Sequence, residues 1–215
     1  MQWLKKVWLK TKYYLLFLYL SPKIYGKSQN SLKVGSLSLL RWSYIKFENN
    51  ASNNKVIIGK NVIGRNLSIV FRGNNNTLVI EDNVKWSGHI LFHCTNRTVH
   101  IGKNSTAKNV YILARENDVF IGENCMFSRG IEVRATDVHK IYDINTNEQL
   151  NKPSDVVIGN HVWVAAKVTI SKGALIANGS VIGANSFVNK KFTQSNCVIA
   201  GSPAKIVRKN IRWKR

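Results

Sequence analysis

Residues 156–188 read VVIGNHVWVAAKVTISKGALIANGSVIGANSFV, and this stretch decides the fold. Ile158, Val164, Ile170, Ile176, Ile182 and Val188 are aliphatic at unbroken intervals of six, and Val156, Val162 and Val168 run two residues ahead of them. Pairs of β-branched residues flanking one outward position suit a short, half-buried strand. A helix of 3.6 residues per turn would scatter a six-residue repeat around its surface, whereas short strands joined by tight corners stack it on one face. Three such hexapeptides make one triangular turn of 18 residues, as from Ile158 to Ile176.

A longer echo runs upstream. Ile58-Gly59-Lys60-Asn61, Ile80-Glu81-Asp82-Asn83, Ile101-Gly102-Lys103-Asn104 and Ile121-Gly122-Glu123-Asn124 precede Ile158-Gly159-Asn160-His161, at steps of 22, 21, 20 and 37. The first three steps read as one turn plus a small loop, and the last as close to two turns plus an excursion. Gly and Asn fall where corners need a positive φ. The expectation is a mainly β solenoid whose coils bury a ladder of aliphatic side chains against their neighbours.

Around that solenoid the sequence divides into residues 1–47, an aromatic and basic helical segment centred on Gln2 to Leu20, a β-helix over 48–200 with a loop at about 134–155, and a basic tail over 201–215. The segment Tyr13–Leu20 is apolar for only 8 residues, against the roughly 20 a membrane span needs, and no small-residue cleavage site follows it. Two roles stay open for the helix: packing on its own oligomer, or resting on a membrane surface.

Composition narrows the partners. The chain has 215 residues and 44% hydrophobic content, enough for one well-buried domain. The net charge is +21, yet all 11 acids lie between Glu48 and Asp155, so both ends are cationic. Such a field attracts anionic polymers, phosphates or lipid heads without choosing among them. Cys94, Cys125 and Cys197 are odd in number and lack CxxC spacing, which gives neither a disulfide framework nor a zinc site; they read as reduced core residues of a cytosolic protein. His89, His93, His100 and His161 have no convergent arrangement, so no metal is expected.

The excursion carries Glu132-Val-Arg-Ala-Thr-Asp-Val-His139-Lys-Ile-Tyr, Trp163 follows His139 by 24 residues within IGNHVW, and the chain closes on Ala200-Gly201-Ser202-Pro203-Ala204-Lys205. These three ordered motifs resemble the hexapeptide-repeat sugar O-acetyltransferases over roughly residues 55–213, in particular those acting on capsular polysaccharide, sialic acid polymers included. The resemblance implies a left-handed parallel β-helix with a protruding active-site loop, acetyl-CoA as donor, and a homotrimer with its sites between subunits. It also implies His139 as general base, which suits a poorly nucleophilic sugar hydroxyl.

By the same resemblance Trp163 lies along the donor near its sulfur, with Ala165, Ala166 and Ala184 as the small residues past which the pantetheine arm runs. Lys190, Lys191, Lys205 and Arg208 are candidates for its phosphates. The chain departs from the family pattern in Ala165-Ala166, where glycine and a larger residue are common, and in Asn189, where threonine often precedes the lysine. Asp137 could orient the His139 ring or cap a turn, and Arg134 could meet an acceptor carboxylate or pair with Glu132 or Asp137.

The expected function is acetylation of a hydroxyl on an acidic bacterial surface glycan or its lipid-linked precursor. It would occur in the cytoplasm, with the N-terminal helix available for contact with the inner membrane face, and nucleic acid is not an expected partner. N-acetylation of an amino sugar and a non-catalytic polyanion-binding solenoid are the alternatives.

Overall fold

The computed structural model describes residues 21–26, 28–48 and 50–215. The expected helix at Gln2 to Leu20 lies outside them, and the described residues contain strands and turns but no helix. Among the described residues, twenty-two short strands wind into a three-sided parallel β-solenoid and a twenty-third pairs antiparallel at its end, forming a 15-stranded sheet over two sides and an 8-stranded sheet over the third. The longest strands, Ile63–Phe71 and Lys85–Phe92, bend around the corner that joins the first side to the second.

Register follows the aliphatic ladder. On the third side Val34, Ile58, Ile80, Ile101, Ile121, Ile158, Ile176 and Phe192 are successive partners. On the second side Ile45, Ile69, Ile90, Ile112, Val133, Ile170 and Val188 do the same. Apart from Val34, which is exposed in its end coil, these ladders converge on one continuous core. Fully burying one such side chain contributes about 1.5–3 kcal/mol, so every coil depends on the neighbour that covers it. Phe47, Phe71 and Phe92 stack at 5.0 and 4.5 Å to fill the wider early coils.

Asparagine turns the corners. Asn61, Asn83, Asn104 and Asn124 all hold φ between 54° and 60° at one edge. Their amides hydrogen-bond from coil to coil at 2.9, 3.2 and 3.1 Å. Asn tolerates this left-handed backbone better than other side chains, and the ladder satisfies amides that would otherwise compete with the strands.

Three expectations change. The coils begin at Lys23, not at residue 48, because Lys23–Tyr25, Ser31–Val34, Leu39–Arg41 and Tyr44–Phe47 pair in the same register as later strands. An end coil has one neighbour and buries less, so its sequence carries little apolar periodicity. The 37-residue step from Ile121 to Ile158 is one coil rather than two, since these residues are direct partners; the surplus is all excursion. Residues 201–215 are no free tail, because Ala204–Arg208 folds back antiparallel on Val198–Gly201 and the last residues pack across earlier coils.

Candidate active site

The excursion leaves the solenoid after Ile131–Arg134 and returns at Val156–Ile158. Its root is tied down by Ala135 N donating to Leu113 O at 3.2 Å and by Thr136 Oγ1 donating to Glu116 Oε2 at 2.6 Å. Thr136 Oγ1 in turn accepts from Val138 N at 3.1 Å. Val138 then adopts φ 72°, a rare conformation for a β-branched residue. Its side chain packs on an outward apolar patch made by Val70, Leu91 and Leu113. His139 follows directly, exposed and free of side-chain hydrogen bonds among the described residues.

Asp137 directs its carboxylate to Lys172 and, at 3.0 Å, to Asn151 Nδ2, rather than to the imidazole. Asn151 Nδ2 also donates to His139 O at 2.8 Å, and Asn151 Oδ1 accepts from Ile141 N at 2.7 Å. Asp137 therefore braces the loop backbone around His139 and does not orient its ring. Burial draws the Asp137 carboxyl upward, but the hydrogen bonds from Lys172 and Asn151 outweigh it and hold the group below the ordinary carboxylate value. Farther out, Asp143 caps its own turn through the amides of Asn145 and Thr146.

The edge from which the loop departs is cationic. Arg72, His93 and Arg115 each follow directly on successive strands there, one coil apart, a spacing of about 4.8 Å. Burial, followed by Arg115 and Arg72, lowers the His93 pKa. Arg72 is paired with Glu48 at 2.9 Å, whereas Arg115 carries a buried Nε without a partner. Arg134 pairs with Glu132 at 2.9 Å and sits over the Tyr111 ring at 5.6 Å, so an acceptor carboxylate would have to compete with Glu132. Lys190 and Lys191 lie at this same edge, past the second-side strand Phe187–Val188.

Trp163 is on a different side. It lies in Trp163–Val164, between Met126–Phe127 and Val181–Ile182, and is 36% exposed. Small residues continue from it around the next corner: Ala165 N bonds Ile182 O, Gly183 N bonds Ile199 O, and Asn185 N bonds Ala166 O. Ala165, Gly183 and Ala200 thus stack coil on coil, with Ala166 beside Ala184, and Lys205 pairs with Ala200 at the end of the column. Arg208 lies opposite Val198 at the far end of the hairpin. In the other direction Trp163 opens onto a cavity of about 860 Å3 whose charged lining residues are Arg65, Lys85 and Lys108, all cations.

One chain thus gathers Trp163, Ala165, Ala166, Ala184 and Lys205 at one edge and His139, Asp137, Lys190 and Lys191 at another. It does not bring His139 and Trp163 together. Val138, Asn151 and Lys172, which set the histidine loop, escaped the sequence reading, as did Trp213, which lies 6.1 Å from Trp163 between ring centroids. The paired tryptophans of the sequence gave no spacing signal, since the contact depends on chain reversal at Gly201-Ser202-Pro203.

A parallel β-solenoid of hexapeptide coils with a histidine loop and a half-exposed tryptophan defines the class of hexapeptide-repeat acyltransferases. Residues 155–190 match the family described as bacterial transferase hexapeptide (six repeats). The chain is 40% identical over 187 residues, 86% of each chain, to a polysialic acid O-acetyltransferase of Neisseria meningitidis. It superposes on the crystal structure of the polysialic acid O-acetyltransferase OatWY with a TM-score of 0.84 at 36% identity, covering 91% of this chain and 92% of that one. For the polySia-specific acetyltransferase NeuO the TM-score is 0.78 at 35% identity, with 91% and 81% covered. The chain belongs to the hexapeptide-repeat O-acetyltransferase family.

Proposed function

We propose that this chain transfers an acetyl group from acetyl-CoA to a hydroxyl of an acidic bacterial surface glycan, a polymer of sialic acid being the acceptor that its relatives' names suggest. The observation that carries the acidic acceptor is the cavity beside Trp163. Arg65, Lys85 and Lys108 line it, no acid does, and none of the three has a carboxylate partner among the described residues. Cations without a carboxylate partner in a concave site strengthen the local field for an anion.

Acetyl-CoA fits the edge at Trp163, where an indole face and a column of Ala and Gly leave room for a narrow arm; when bound, it supplies the activated acyl group. His139, exposed and with no side-chain hydrogen bond among the described residues, serves to take the proton of the attacking hydroxyl. Because these two residues occupy different edges, a complete site calls for the His139 loop of one subunit beside the Trp163 edge of another. We therefore read the assembly as a homotrimer of left-handed coils, working in the cytoplasm where acetyl-CoA is available.

The test offers the purified protein acetyl-CoA with sialic acid oligomers, amino sugars or neutral glycans, and follows the product by mass and by its lability to mild alkali. An alkali-labile acetyl on the acidic oligomer, formed more slowly as salt rises through the range where the screening length is about 10 Å or less, is the expected result. An alkali-stable product would move the reading to N-acetylation, and preference for a neutral glycan would remove the electrostatic argument.

A further inference from the structure

The last five residues of the chain, 211–215, form a strap over the edge that precedes Trp163. Ile211 N bonds Asn196 O at 2.9 Å. Trp213 then lies flat on His161, with centroids 4.1 Å apart and planes within 4°, and its Nε1 donates to His161 O at 3.0 Å. His161 Nε2 is 3.3 Å from Trp213 O. Arg215 reaches two coils farther, donating to Cys125 O at 2.8 Å, Thr106 Oγ1 at 3.2 Å and Asn104 O at 3.3 Å. Trp213 is only 8% exposed.

The seat of this strap interrupts the asparagine run of its edge, a corner that Leu37 opens and that Gly179 and Asn196 continue beyond it. Asn61, Asn83, Asn104 and Asn124 occupy the positive-φ corner in four coils and bond to one another, and His161 takes the same corner at φ 53° in the next. A histidine there ends the amide ladder and pays a backbone cost that asparagine avoids. What it offers instead is a flat ring for Trp213. Two residues past this corner, Trp163 points outward from the strand Trp163–Val164, its ring 6.1 Å from Trp213 at 46°. Thr106, which Arg215 grips, lines the cavity onto which Trp163 opens.

We propose that the C-terminal strap is part of the acyl-transfer site, with Trp213, His161 and Arg215 acting as positioning residues that fix the Trp163 indole and wall its groove. The inference rests on the reading of Trp163 as a donor contact. A tail that merely covered apolar surface would need neither a histidine within the asparagine run nor three hydrogen bonds from Arg215 to two successive coils.

The test measures acetyl-CoA affinity by calorimetry, together with KM for donor and acceptor and the melting temperature, for wild type, Trp163→Ala, Trp213→Ala and His161→Asn. His161→Asn supplies the residue the corner prefers, so the solenoid keeps its stability while the stack is lost. Trp213→Ala and His161→Asn should each weaken acetyl-CoA roughly threefold to tenfold, the loss of one aromatic pair, raise the donor KM and leave the acceptor KM unchanged. Trp163→Ala should weaken the donor at least as much. If Trp163→Ala loses affinity but His161→Asn and Trp213→Ala bind like wild type, the strap has no positioning role. If Trp163→Ala itself binds acetyl-CoA like wild type, the donor reading fails and the strap inference falls with it.

Discussion

Val138 offers a sharp test of how the loop presents its histidine, because packing and backbone strain make opposite demands on the same residue. Its φ of 72° costs an L-residue about 1–2 kcal/mol. The half-buried side chain recovers part of this on Val70, Leu91 and Leu113. Val138→Ala removes two methyl groups at about half burial, a loss of about 0.8 kcal/mol at ~0.8 per fully buried group, and keeps the backbone penalty. Val138→Gly loses slightly more packing and about 0.5–1 kcal/mol of backbone entropy, but regains the strain of about 1–2 kcal/mol. The seated loop should therefore be weaker in the alanine variant, by about fourfold in its opening equilibrium at ~1.4 kcal/mol per tenfold, and near wild type in the glycine variant. Amide hydrogen exchange of the peptide spanning residues 135–155 reads that equilibrium directly, with kcat as a second readout. Faster exchange in Val138→Gly than in Val138→Ala would mean that packing alone seats the loop and that the strain has no weight.

Gly88 sits at the bend of Lys85–Phe92 with φ 126°, and a Cβ there would lie 2.1 Å from Val110 O. Adding the strain of a glycine-only backbone to the clash, Gly88→Ala should cost about 3–5 kcal/mol, visible as a large fall in melting temperature; an unchanged melt would contradict the backbone assigned to this corner. For Asp137 the folded-state pKa is depressed by Lys172 and Asn151. The brace is then fully present above the ordinary 3.8 and is lost as pH falls through the lower folded value. Hydrogen exchange of the loop at acid pH should accelerate in wild type and show no such step in Asp137→Asn; equal pH profiles would remove the carboxylate from the account.

The repeat was legible where the sequence is most regular. Six aliphatic residues at intervals of six fix the coils from Val156 onward, because no insertion interrupts them and all but Val188 have neighbours on both sides. The early coils hid for the opposite reason: strands such as Lys23–Tyr25 and Ser31–Val34 are almost wholly exposed, so no burial stamps a period on them. The 37-residue step was ambiguous in sequence, since length alone cannot tell a long loop from an extra coil; pairing of Ile121 with Ile158 settles it. His139 and Trp163 stood out by motif, but what holds them did not. Val138 is an ordinary valine until its φ is known, and Trp213 meets His161 across 52 positions, a contact that no local pattern encodes.

The central claim is that His139 drives acetyl transfer from acetyl-CoA to an acidic glycan, and thiol release by wild type and His139→Ala with and without sialic acid oligomer tests it most directly. The account predicts acceptor-dependent release by the wild type and its loss, by at least the hundredfold typical of a general base, in a variant that still binds acetyl-CoA. Equal release by the two proteins would contradict it.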